Sequence, residues 1–166
     1  MNLDNFLFVI PARKGSKGIK KKNLIKLKKK HLVEYTFKII EKLNIKNSYV
    51  ITDDNLIKKI AHKYNVNTEY KRPKKLSGDR ISLIENLKHF KKFIDKKINY
   101  KYFIILQPTS PFRTYEDVLN SIKKFKKGRY SSLFSVSDSI ENPYESVYLK
   151  KKKISFFQKR ILNDLR

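Results

Sequence analysis

The stretch Phe6-Leu7-Phe8-Val9-Ile10, closed by Pro11 and followed by Ala12-Arg13-Lys14-Gly15-Ser16-Lys17-Gly18-Ile19, decides how the rest of this 166-residue chain is read. Five consecutive apolar residues suit a strand covered on both faces, as the strands of a parallel sheet are. A basic loop with two glycines directly after such a strand stands where open α/β sheets bind their ligands.

The same grammar recurs downstream. Leu32 to Leu43 places Val33, Phe37 and Ile40 at helical spacing, and Tyr49-Val50-Ile51 follows as a short strand. Thr52-Asp53-Asp54-Asn55 offers several caps for a second helix with an apolar stripe of Leu56, Ile57, Ile60 and Ala61. Val66 to Tyr70 reads as a short strand broken at Lys71-Arg72-Pro73. A third helix runs from Ser82 to about Ile94 through Leu83, Leu87 and Phe90, and Tyr102 to Leu106 reads as a central strand. Thr114 and Asp117 resemble a capping box for a fourth helix with Val118, Ile122 and Phe125. Ser132 to Val136 is a further strand candidate, and Val147-Tyr148-Leu149 with Ile154-Ser155-Phe156 a hairpin. The expected fold is a three-layer α/β/α sandwich with a mainly parallel, Rossmann-like sheet, in a single domain over 1–166.

Composition narrows the chemistry. There is no Cys, which excludes disulfides, thiolate metal sites and a cysteine nucleophile. The net charge is +25, carried by 33 Lys and only 7 Arg. Base reading and bidentate phosphate contacts lean on Arg, so this charge is read as a solvated surface, with no specific nucleic-acid partner. The five-residue apolar run at the N-terminus is too short for a signal peptide, and no stretch approaches the ~18 apolar residues of a membrane span. The expected location is the cytoplasm, with no membrane partner. His31, His62 and His89 have no ligand-like spacing and are read as surface residues, as are the loop acids Asp138 and Glu141.

Two loops carry the chemistry. In the first, Gly15 and Gly18 would let backbone N–H groups converge among cations, an anion cradle in place of a merely basic turn. The spacing fits neither a Walker loop nor a dinucleotide fingerprint. In the second, Gln107-Pro108-Thr109-Ser110-Pro111-Phe112-Arg113, two prolines fix a backbone rich in hydrogen-bonding groups ahead of a helix.

Four co-linear motifs, Ile10 to Lys17 with Gly18-Ile19 and Lys22-Asn23, Thr52-Asp53-Asp54, Arg72-Pro73 with Leu76-Ser77-Gly78-Asp79, and Leu106 to Arg113, resemble the signatures of the acylneuraminate cytidylyltransferases, the CMP-sialic acid synthetases. The resemblance implies transfer of CMP from CTP to the anomeric hydroxyl of a 2-keto nonulosonic acid, with release of pyrophosphate. On the family pattern Arg13, Lys22 and Gln107 are the catalytic candidates. Arg13, Gly15, Ser16, Lys17, Lys22, Asn23, Arg72 and Ser82 would bind nucleotide, and Gln107, Thr109, Ser110 and Arg113 the sugar acid. Asp53 matches a family position and also suits a helix cap. The Lys17-Gly18-Ile19 segment favours a sialic, legionaminic or similar acid over the eight-carbon acid of lipopolysaccharide. Asp79-Arg80-Ile81-Ser82-Leu83 departs from the family's Asp-Thr-Ala and small hydroxylated residues. The resemblance further implies Mg2+, a homodimer, and a family domain continuing past residue 166, with the metal ligands in that part. The competing expectations are a nucleotide-binding remnant without turnover and, more distantly, a basic nucleic-acid-binding module.

Overall fold

A computed structural model describes residues 2–15, 18–78, 81–138, 147–150 and 153–156. Two compact units divide the chain, Met1–Lys124 and Phe125–Arg166. In the first, strand β1 (Phe6–Pro11) lies between β4 (Ser48–Ile51) and β5 (Tyr102–Ile105), both parallel to it. Phe8 stands opposite Ser48 on one side and Ile104 on the other. A two-residue ribbon, β2 (Lys26–Leu27) with β3 (Lys30–His31), leads into helix α1 (Leu32–Lys42). Helices α2 (Asn55–His62), α3 (Leu83–Ile94) and α4 (Tyr115–Gly128) complete the regular elements around this sheet.

The alternation of β1 explains the layers. Phe6, Phe8 and Ile10 belong to one buried cluster, with Val33, Phe37 and Ile40 of α1, Ile57, Ile60 and Ala61 of α2, and Val118 and Ile122 of α4. Leu7 and Val9 point the opposite way and join a second cluster with Tyr49, Ile51, Tyr70, and Phe90 and Ile94 of α3. Successive side chains of a strand alternate faces, so a run apolar at every position fits only a sheet covered on both. The expected three-layer α/β/α architecture is what these residues build. Each fully buried Phe, Leu or Ile contributes ~1.5–3 kcal/mol relative to exposure.

The helix ends also follow local chemistry. α1 and α2 are each followed by an asparagine in the left-handed region, Asn44 at φ 49° and Asn65 at φ 54°. Beyond each, the amides of Ile45 and Val66 donate back to Ile40 O and Ala61 O. Asparagine tolerates this conformation, which stops a helix while satisfying its last carbonyls.

Several expectations are corrected. Tyr102–Ile105 is an edge strand among the described residues, not a central one, and Ile105 is 40% exposed. Val66–Tyr70 forms no strand: its link to the sheet is one bridge, Tyr49 with Asn67, while Val66 and Tyr70 are held by burial. Leu56 leaves the α2 stripe and is 47% exposed, because the buried face runs through Ile57, Ile60 and Ala61. His31 and His89 are half-buried: His31 Nδ1 lies 2.6 Å from Leu24 O, and His89 Nδ1 2.9 Å from the Tyr70 hydroxyl.

In the second unit, β6 (Val147–Lys150) and β7 (Lys153–Phe156) form the expected antiparallel hairpin, with Val147 opposite Phe156. Ser132–Val136 pairs with no other segment among the described residues and is no strand there, and Phe134 and Val136 are exposed. Glu141 lies outside the described residues. Among the described residues no helix is long and apolar enough to cross a membrane.

Candidate active site

A cavity of about 550 Å3 opens beyond the carboxyl ends of β1, β4 and β5, where a parallel sheet presents its loops. Arg13, Gly18, Ile19, Lys22 and Asn23 reach it from the loop after β1. Ile51 comes from the end of β4, Arg72 from the segment before a 3-10 turn at Lys74–Leu76, and Gln107, Pro108 and Thr109 from the loop after β5. Ile81, Leu83 and Asn86 add the entry and first turn of α3.

Each cation is set by its own local bonding. The buried side chain of Asn23 donates through Nδ2 to Arg13 O at 3.0 Å, which fastens the start of the basic loop to its end. Lys21 adopts the left-handed region at φ 52° and turns the chain into the 3-10 turn Lys22–Leu24. Gly15 and Gly18 do not take positive φ, and a Cβ on either would meet nothing within 4 Å. The expected role of the glycines in forcing the turn therefore passes to Lys21. Ser16 and Lys17 lie outside the described residues.

Arg72 donates from Nε and Nη2 to Leu76 O at 3.1 and 2.7 Å, closing its own loop. Burial lowers its pKa, nearby Arg13 adds to that, and Asp53 opposes it by favouring the charged form. Asp53 is not the helix cap that its position suggests. Asp54 caps α2, its Oδ1 accepting the amides of Leu56 at 2.8 Å and Ile57 at 3.3 Å. Asp53 is thereby free to accept the Lys14 amide at 2.8 Å.

The loop after β5 is braced from below. Arg113 Nη2 donates to Gln107 O at 2.9 Å, and burial lowers the Arg113 pKa while Asp117 opposes the shift. Arg113 and Ser110 stand outside the cavity wall, as do Gly15 and Ser82. The Ser82 hydroxyl accepts the Glu85 amide and donates to Glu85 Oε2, both at 3.1 Å, as the cap of α3. Asn86, one turn further, is the polar wall residue that the sequence reading missed. The available signal was an Asn in the apolar stripe that continues through Phe90 and Ile94.

Among the described residues no three His, Asp or Glu side chains stand together so as to hold a metal ion, and Asp53 already accepts the Lys14 amide.

A phosphate-sized anion can be met by Arg13 and Lys22, a planar group by the apolar wall, and a hydroxyl by Gln107 and Thr109. The cytidylyltransferase family model matches residues 7–159. The chain belongs to that family. It is 33% identical over 133 residues to an N-acylneuraminate cytidylyltransferase of Escherichia coli O18:K1:H7, covering 79% of this chain and 31% of that protein. It is 29% identical to a post-translational flagellin modification protein B of Campylobacter coli, covering 86% and 62%. A CMP-N,N'-diacetyllegionaminic acid synthase of Legionella pneumophila is 30% identical, with 72% and 53% covered. This family member thus spans between about a third and three-fifths of the length of these relatives. A CMP:2-keto-3-deoxy-manno-octonic acid synthetase complexed with CTP shares the fold at TM-score 0.57 and 20% identity, over 75% of this chain and 48% of that one. A cytidylyltransferase from Leptospira borgpetersenii does so at TM-score 0.55 and 17% identity, over 75% and 50%.

Proposed function

We propose that this chain transfers CMP from CTP to the anomeric hydroxyl of a nonulosonic, sialic-type sugar acid. The observation that carries the reading is the convergence in one cavity of Arg13, Lys22, Asn23 and Arg72 with Gln107 and Thr109. The relatives named for sialic and legionaminic acids support the substrate class.

In the reaction the hydroxyl oxygen of the sugar acid attacks the α-phosphorus of CTP. The bond from that phosphorus to the bridging oxygen breaks, pyrophosphate leaves, and the hydroxyl proton passes to solvent. Charge grows on the leaving group, and Arg13 and Lys22, two of the cations that line the cavity, would stabilise it. Catalysis of this kind is mostly positioning and electrostatics. Asn23 acts through the Arg13 carbonyl to hold the loop, and Arg72 lines the nucleotide side while closing its own segment. Gln107 and Thr109 orient the acceptor, on a loop that Arg113 braces.

The test is pyrophosphate release from CTP, UTP, ATP and GTP against a panel of 2-keto sugar acids. Release that needs CTP and a nine-carbon acid together supports the reading. CTP binding without release would mark a nucleotide-binding module instead, and salt-sensitive polynucleotide binding without base selectivity would mark a basic surface.

A further inference from the structure

Asn86 is 3% exposed, yet it forms part of the cavity wall. Its Nδ2 donates to Ser82 O at 3.0 Å, which fixes the two ends of the amide: nitrogen toward the helix, oxygen away from that bond. Oδ1 is buried and has no hydrogen-bond partner among the described residues. A buried acceptor without a donor disfavours the empty state, and a ligand that brings a donor removes that penalty. Ile51, Ile81 and Leu83 line the same cavity, which the cations Arg13 and Lys22 enter from the loop after β1 and Arg72 from the segment before the 3-10 turn. Apolar side chains with one acceptor suit the flat faces and amino edge of a nucleobase, and the cations suit its phosphates.

We propose that Asn86 selects the base, its Oδ1 accepting a hydrogen bond from the exocyclic 4-amino group of cytosine. This rests on reading the cavity as a nucleotide site. Uracil presents a 4-oxo group at that position, which sets acceptor against acceptor and leaves both unpaired. A site built to receive a donor rejects the analogue that lacks it because its own buried group is then unsatisfied. Asn86 is thus a specificity-determining residue and takes no part in the bond-making step.

The experiment measures equilibrium binding of three ribonucleoside triphosphates to the intact chain: CTP, UTP, and pyrimidin-2-one ribonucleoside triphosphate, which has hydrogen in place of the 4-amino group. CTP is expected to bind tighter than both others by on the order of 10- to 100-fold. In Asn86→Leu, which fills the position with apolar volume and removes the acceptor, the three affinities should fall within about threefold of one another. Asn86→Asp keeps the acceptor and should still favour CTP over the pyrimidinone. Thermal melts establish that each variant is folded, and Asn86→Ala carries the comparison if Asn86→Leu is not. Equal binding of CTP and the pyrimidinone by the unmodified chain overturns the proposal while leaving the nucleotide site standing. A CTP preference that survives intact in Asn86→Leu or Asn86→Ala overturns it equally. No binding of any triphosphate overturns the reading of the cavity, and this inference with it.

Discussion

The Lys14 amide donates to Asp53 Oδ1 at 2.8 Å across 39 residues of sequence, tying the loop after β1 to the loop after β4. Asp54 takes the capping duty that would otherwise hold Asp53 at the start of α2. Asp53 then has two separable effects on the site. Its oxygen anchors the basic loop, and its charge faces Arg72. Asp53→Asn keeps the acceptor and removes the charge, leaving the cavity more positive, so CTP affinity should stay within about threefold. Asp53→Ala loses the anchor as well and should weaken CTP binding by on the order of 5- to 10-fold, the loss of one partly exposed charge-assisted hydrogen bond. Calorimetric titration of both variants checks this, and equal affinities in both would show that the anchor does not organise the loop.

Lys22 is half-buried and lines the cavity, whereas Lys20, in the same run, is exposed and does not. A lysine beside the leaving pyrophosphate is a point charge whose effect grows as negative charge develops, so it favours the transition state over bound CTP. Lys22→Ala should reduce turnover on the order of 10²-fold with a smaller loss of CTP affinity. Lys20→Ala should change neither by more than about twofold. Equal, small effects at both positions in a steady-state assay would remove Lys22 from the site.

The sheet was legible because Phe6 to Ile10 is apolar at every position, short, and closed by Pro11, which suits a strand buried on both faces. The helices were legible for the same kind of reason, their spacing being a property of the chain alone. What failed was whatever depended on neighbours distant in sequence. Tyr102–Ile105 has the composition of a central strand, and its place at the edge is set by pairing with β1 on one side only among the described residues. Val66 and Tyr70 are buried without a ladder, so strand-like composition there records burial and not pairing. In the site, Arg13, Lys22 and Gln107 stood in loops whose position after strands marks them for ligands, whereas Arg72 came only from the family resemblance. The division of labour between Asp53 and Asp54 was not, because both are acids at a helix start and only the fold shows which one reaches the Lys14 amide. Asn86 was hidden because an amide inside an apolar stripe carries no motif.

Gly15 and Gly18 make the loop after β1 look like a backbone device, but neither has positive φ and both have room for a Cβ. Replacing glycine by alanine at a compatible position restricts the unfolded chain, so Gly15→Ala should be neutral or stabilising by up to ~1 kcal/mol in urea unfolding. Gly18→Ala should be equally benign to stability but should reduce CTP affinity, since Gly18 lines the cavity and Gly15 does not. Destabilisation by more than ~1 kcal/mol at either position would restore the conformational role of the glycines.

Phe90 is the centre of the second buried cluster, its ring centroid 5.1 Å from Tyr70 and 5.6 Å from Tyr49. It joins α3 to the face of the sheet opposite α1, and α3 carries Asn86 one turn earlier. Phe90→Ala should cost ~3–5 kcal/mol, because the transfer energy of the ring and the cavity left behind add together. Phe90→Leu, which keeps much of the volume, should cost less than half of that. Chemical denaturation of both variants checks the ratio, and equal costs would mean that α3 can collapse onto the sheet without the ring.

The start of α4 is held by a reciprocal pair: the Thr114 amide donates to Asp117 Oδ2 at 2.8 Å, and the Asp117 amide donates to Thr114 Oγ1 at 3.1 Å. The Asp117 pKa is lowered chiefly by the Thr114 amide, then by the Thr114 hydroxyl, with Arg113 a smaller contributor. A carboxylate whose folded pKa lies below its unfolded value stabilises the fold fully above the unfolded value, about 3.9 for aspartate, and loses that contribution as pH falls through the folded pKa. The relevant window therefore lies at and below pH ~4, and nothing is gained or lost through this group near neutrality. Arg113 braces the Gln107 carbonyl, so loosening this turn in acid should also loosen the loop that presents Gln107 to the cavity. Asp117→Asn keeps an acceptor for the Thr114 amide but cannot titrate. Melting curves from pH 7 to pH 3 should show a smaller acid-induced fall in Tm for Asp117→Asn than for the unmodified chain, with Thr114→Ala as a variant weakened at every pH. Parallel pH profiles for the unmodified chain and Asp117→Asn would show that this cap does not contribute to acid lability.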